Sequence, residues 1–265
     1  MGSPQPSTPD PQPTRSKLIA IGGSLGYIAG AYAFIFAVSL VLMIGIMAAI
    51  LIGNPDVLAD DPDAIEGVLD GGIGVLFVGL ESLLLGLAGA ILAALSFSQN
   101  WIPKRVVGLT VPTGRELLIG AGTVVALLAV GTVISIASGL LGVPASEHTL
   151  FTDDVAPIYY VALMVISILL IGPAEELLFR GLIQNYVRPA FGSTGAIVWT
   201  SVVFAAIHLP VYLTAALASA TVSLVVVFAL SLILGAVYER YRNLVLVMLI
   251  HGVYNAVLFG FEIIA

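Results

Sequence analysis

Apolar runs of 18 residues or more recur from residue 18 almost to the end of this 265-residue chain. As helices, each can cross a hydrocarbon layer about 30 Å thick. Composition agrees: 59% of residues are hydrophobic and 9% charged, against about 25% charged in ordinary soluble domains, and the mean hydropathy is +1.11. The fold class expected is therefore all-α, a polytopic membrane helix bundle of about seven helices, with six to eight the range allowed by the boundaries. No soluble domain is left over. Cysteine is absent, which removes disulfides, thiolate nucleophiles and cysteine metal sites from consideration. There is no basic patch, so nucleic-acid binding has no support.

Residues 1–17, rich in Pro, Ser and Thr, read as a disordered cytoplasmic tail. Residues 18–156 read as N-terminal membrane helices and 157–265 as C-terminal helices, together one membrane domain. The first run, 18–53, is far longer than a signal-peptide core and lacks an A-x-A site, so it is expected to be a retained helix. Gly22-Gly23 divides it, or the helix tilts. An acidic loop follows over 54–72, then a second helix over 73–96 carrying Glu81, expected as a protonated or hydrogen-bonded packing residue. Lys104, Arg105 and Arg115 sit in a basic loop before a third helix at 117–143. Glu147, Asp153 and Asp154 surround His148, expected as a solvated loop residue. A fourth helix is placed at 158–187, ended by Arg188-Pro189, a fifth at 195–209, a sixth at 213–237 and a seventh from Leu244.

With seven crossings, every Lys and Arg falls on one side. The positive-inside rule makes that side cytoplasmic, with the N-terminus there and the acidic loops outside the cell membrane. Acid-rich loops with only two lysines also have the composition of a halophilic protein.

The segment Gly172-Pro173-Ala174-Glu175-Glu176-Leu177-Leu178-Phe179-Arg180 sets two carboxylates and a guanidinium in an apolar run. A charge at the bilayer centre costs about 2.5–3.5 kcal/mol on insertion scales, so such groups call for partners. His208 and His251 lie in later apolar runs. At about 1.5 Å of rise per residue, Glu175 lies about 18 Å, His208 about 20 Å and His251 about 10 Å from the expected cytoplasmic helix ends. All fall between the midplane and the cytoplasmic half. Glu176 and Arg180, four apart with the acid first, have the favoured spacing for an ion pair. Glu175 is rotated about 100° from Glu176 and points elsewhere. Phe204 shares a face with His208, and His251 with Asn255. Taken singly, each residue reads as interhelical cross-linking. Together, at one depth on three helices, they read as a site.

The motifs Glu175-Glu176-x-x-x-Arg180, Phe204-x-x-x-His208 and His251-x-x-x-Asn255 resemble those of the CPBP family. These are the CaaX protease and bacteriocin-processing membrane proteins, also called Abi. The resemblance covers about residues 157–262 and implies an intramembrane endopeptidase similar to the Ras-converting CaaX endopeptidase. It implies that Glu175 activates water, that His208 helps hold it, and that His251 and Asn255 stabilise the oxyanion. Glu176, Arg180 and Phe204 support them. The implied partners are membrane lipid and a membrane-tethered or lipidated peptide, with a prenylated CaaX-type end as one form.

No cofactor is expected. If a metal takes part, zinc on Glu175, His208 and His251 is the alternative, although H-E-x-x-H is absent and Glu175 cannot readily be both inner ligand and free base. Two other classes stay open: a non-catalytic immunity or scaffold protein of the same family, and a proton-coupled transporter relaying through Glu81 and Glu175, for which no inverted repeat is visible.

Overall fold

The computed structural model describes residues 16–53, 72–151 and 155–264, so the expected tail, the acidic loop and Asp153–Asp154 fall outside or nearly outside the described residues. All regular structure among the described residues is helical. Helix α1 (Lys17–Gly53) runs 37 residues without interruption at Gly22-Gly23. At roughly 55 Å it exceeds the hydrocarbon thickness and must tilt or project. Gly23 instead serves packing: a β-carbon there would overlap the Tyr186 side chain. Helix α2 spans Gly72–Ser98. Its Gly86 and Gly89 let it lie against Ala174 and Leu177 of the Glu-bearing segment.

Helix α3 (Gly114–Leu140) begins three residues before the expected 117. Thr113 and Glu116 form a capping box, each side chain accepting from the other's backbone N–H, and these bonds fix the start.

The next stretch is composite. Helix α4 (Pro157–Ile166) leads into a π-helical turn, Ser167–Ile171, then α5 (Gly172–Glu176), a second π-helical segment, Leu177–Gln184, and α6 (Asn185–Ile207). The expected stop at Pro189 does not occur there. The chain stays helical through Pro189 and breaks at Gly192, with φ 68° and ψ 179°, a conformation open to glycine and costly for other residues. There the chain reverses. In one straight helix Phe179 and Phe204 would stand roughly 37 Å apart, yet their rings meet edge to face at 4.8 Å. Glu175 and His208 approach to 3.9 Å. Both pairs are centred between Phe191 and Gly192, so the two arms form an antiparallel hairpin.

Helices α7 (Leu209–Tyr212), α8 (Leu217–Tyr241) and α9 (Leu244–Ile264) complete the bundle. Among the described residues six stretches are long and apolar enough to cross a membrane, and the doubling back of one of them at Gly192 accounts for the seven rods expected. The protein is a polytopic helical membrane protein. Residues 178–187 are buried on every side, the pattern of a central helix, whereas α1 shows much of its apolar surface to its surroundings, with Phe36 70% and Val41 69% exposed.

The basic residues gather at one end of the bundle. Lys17 lies over the Phe191 ring beside the bend. Arg188 and Arg242 both pair with Glu239, at 2.6 and 3.1 Å, and Arg242 also donates to the Val106 carbonyl.

Candidate active site

Glu175 and Glu176 are adjacent in sequence and opposite in circumstance. Glu176 is fully buried. Its Oε1 accepts from Arg180 Nη1 at 2.7 Å and from His251 Nδ1 at 2.8 Å. Arg180, also fully buried, uses Nη2 to donate to the Ser231 hydroxyl at 2.8 Å and to the Ser231 carbonyl. Its guanidinium carbon stands 5.0 Å over the Phe204 ring. Charge is thus balanced locally, by one carboxylate on one guanidinium, although Glu176 Oε2 and Arg180 Nε have no hydrogen-bond partner among the described residues.

Glu175 instead opens into a cavity of about 150 Å³ that His208, His251 and Asn255 also line. Its two oxygens face two imidazoles: Oε1 lies 3.9 Å from His208 Nε2 and Oε2 lies 3.6 Å from His251 Nε2. These separations exceed direct hydrogen bonds and suit a bridging water.

Neighbouring bonds fix which ring nitrogen carries the proton. His208 Nδ1 lies 2.7 Å from the Phe204 carbonyl. A carbonyl can only accept, so Nδ1 donates and the lone pair of the neutral ring is on Nε2, toward Glu175. His251 Nδ1 likewise donates to the Glu176 carboxylate. Phe204 therefore contributes more than bulk, since its carbonyl orients His208 and its ring packs between Phe179 and Arg180.

The local backbone explains how these groups meet. The π-helical segments on either side of α5 shift its side chains relative to a regular helix, a device frequent at functional sites. In the second, the Asn185 amide donates to the carbonyls of Arg180 and Gly181, both at 3.0 Å, satisfying groups displaced from regular i→i+4 pairing. The approach of α9 depends on two glycines at backbone contact: Gly172 packs on Gly252, and Gly252 packs on the backbone of Ser167 and Ile168.

The structure thus brings Glu175, His208, His251 and Asn255 to one cavity, with Glu176, Arg180 and Phe204 directly behind them. Several participants had not been singled out in the sequence. Ser231, Gln184, Asn185 and Tyr238 form a buried polar seam between the Glu-bearing segment and α8. The only sign was small or polar residues spaced about one turn apart in an apolar run, at Ser231, Gly235 and Tyr238.

Two expectations are corrected. His148 is not a solvated loop residue: it lines the same cavity and meets Tyr212 edge to face at 5.2 Å. Its loop is drawn inward because Ser146 donates to the Tyr212 carbonyl at 2.7 Å and its own carbonyl accepts from Ser223 at 2.7 Å. Burial and the neighbouring His208 push the His148 imidazole down to about 4. Tyr212, also on the cavity wall, is pushed up to about 12 by burial and by Glu175. Glu81, expected as a protonated or hydrogen-bonded packing residue, is exposed on α2 and makes no hydrogen bond among the described residues, so the hydrogen-bonded form of that expectation is not met.

Residues 157–257 match the family described as Rce1-like, type II CAAX prenyl endopeptidase. This stretch contains every motif residue of the site. No curated protein and no solved structure matches the chain.

Proposed function

With residues 157–257 an Rce1-like domain, we propose that the protein is an intramembrane endopeptidase in which Glu175 activates water against a peptide bond of a prenylated, CaaX-type substrate. The observation that carries this reading is the contrast between the two acids: Glu176 is held by Arg180 and His251, while Glu175 faces a cavity between two imidazoles. A water between Glu175 and His208 meets two acceptors, the carboxylate and the Nε2 lone pair, and is oriented by both of its hydrogens. Glu175 takes one proton as the oxygen attacks the carbonyl carbon, then passes it to the departing amine. The tetrahedral oxygen collects a hydrogen bond from the Asn255 amide beside His251, a contribution of roughly 2.7–4 kcal/mol per donor in other hydrolases.

Zinc on Glu175, His208 and His251 is the competing mechanism. An inner-ligand Glu175 could not readily serve as the free base as well. We therefore assign the chemistry to the side chains alone. The test compares wild type with Glu175→Gln on a prenylated CaaX peptide, with and without chelator, after checking that both fold. Cleavage by wild type alone and indifferent to chelator is the expected result. Chelator sensitivity would move the mechanism to zinc, and equal cleavage by the variant would overturn the role of Glu175.

We also place the basic end of the bundle, with the N-terminus, in the cytoplasm. In that orientation the cavity lies at the far end of the short hairpin arm, about 22 Å from the bend, instead of in the cytoplasmic half. Single cysteines introduced into this cysteine-free chain at Arg240 and Glu147 give the check. Impermeant maleimide added outside intact cells should label the second and spare the first.

A further inference from the structure

His148 reaches the cavity from an element outside the family match, the loop between α3 and α4. Its ring is held on both sides. Nδ1 accepts from the Leu150 backbone N–H at 3.0 Å, which leaves the proton of the neutral ring on Nε2. Nε2 makes no hydrogen bond among the described residues. The loop itself is stapled across the α7–α8 junction: Ser146 bonds the Tyr212 carbonyl and the Thr214 hydroxyl, Thr214 bonds the Glu147 carbonyl, and Thr149 N–H bonds the Val211 carbonyl. This is a fixed donor presented to the cavity, on a wall that the proposed chemistry does not use.

The cavity is also short of positive charge. Its nearest guanidinium, Arg180, is fully buried and committed to Glu176 and Ser231. A substrate ending near the scissile bond brings a terminal carboxylate within about 10 Å of it, since three extended residues span about that distance. With no cation among the described residues lining the cavity, that carboxylate is met by neutral donors.

We propose that His148 is a specificity-determining residue whose Nε2–H binds the C-terminal carboxylate of the peptide leaving the site. This rests on the endopeptidase reading above. Tyr212, whose ring backs His148 edge to face, holds the imidazole in place.

The test uses the full chain in detergent, as wild type, His148→Phe and His148→Gln, each checked for thermal unfolding. Binding of an aliphatic tripeptide with a free carboxylate is compared with binding of its C-terminal amide, and KM and kcat are measured on a prenylated peptide in the same two forms. Wild type should prefer the acid by about 10- to 100-fold in affinity and KM, the range of a charge-assisted hydrogen bond. His148→Phe should abolish that preference, and His148→Gln, which keeps an N–H donor, should restore part of it. Equal loss for acid and amide, a fall in kcat at unchanged KM, or no acid preference in wild type would overturn the proposal. The two readings fail separately. Preferential binding of the acid without cleavage would remove the protease reading alone, and cleavage without acid preference would remove the role of His148 alone.

Discussion

Gly172 and Gly252 stand back to back where α5 meets α9: a β-carbon on Gly172 would lie 2.7 Å from the Met248 carbonyl oxygen, and one on Gly252 would lie 2.7 Å from the Ser167 carbonyl oxygen. Each added methyl meets backbone, which cannot turn aside as a side chain can. Gly252→Ala should therefore push the helices apart, lengthen the bond between His251 and Glu176, and destabilise the fold by about 1–3 kcal/mol as overpacking does. Thermal unfolding in detergent gives the stability, and turnover per folded molecule should fall at least tenfold. Wild-type turnover would show that this contact does not position His251.

Among the described residues Arg180 is the guanidinium bonded to Glu176 in the buried site. Its removal as Arg180→Met strands a buried carboxylate and should cost about 3–5 kcal/mol, as for other broken buried pairs. Adding Glu176→Gln removes the stranded charge and should recover most of that stability. Activity should stay low in the double variant, because His251 no longer has an anion on Nδ1. Chemical denaturation and peptide cleavage on the same samples separate the two effects.

His148 gives stability a pH dependence with a defined sign. Its folded-state value, about 4, lies below the unfolded value near 6.5. The unfolded chain therefore binds the extra proton between these limits. The stabilisation is fully present above about pH 6.5, declines as pH falls, and is spent near pH 4, a change on the order of 1–2 kcal/mol after allowing for partial solvent access. In wild type minus His148→Gln, unfolding measured across this window should show that decline. A flat difference would mean that His148 titrates as it does in the unfolded chain.

Gly192 turns the hairpin at φ 68° with open space where a β-carbon would go. Gly192→Ala meets no steric neighbour, so its cost is that of the backbone conformation alone, about 1–3 kcal/mol. Turnover by the folded fraction should be close to wild type. A larger loss of stability would point to a contact beyond the backbone.

Much of this architecture could be read from residue types. The apolar runs, the i,i+4 spacing of Glu176 and Arg180, and the recurrence of His208 and His251 at one depth are local or additive signals. Gly192 was harder because Pro189 nearby is the stronger helix breaker by propensity. Yet proline lacks only one donor and tolerates helical φ, whereas the reversal needs a positive φ that glycine alone supplies without cost. His148 was misread for a different reason. Nothing within its acidic loop signals burial, which comes from Ser146, Thr214 and Ser223, two of them on residues about 70 positions away. Gly172 and Gly252 likewise acquire meaning only as a pair.

The arm of the hairpin carrying His208 runs from residue 193 to 207, a rise of about 22 Å, short of a 30 Å hydrocarbon layer. A helix that ends at such a depth leaves carbonyl groups for which lipid offers no donors, and here the loop before α4 supplies them: the Thr149 N–H bonds the Val211 carbonyl and the Ser146 hydroxyl bonds the Tyr212 carbonyl. The same truncation that puts His208 opposite Glu175 thus seats the loop that carries His148, so one short helix builds two walls of the cavity.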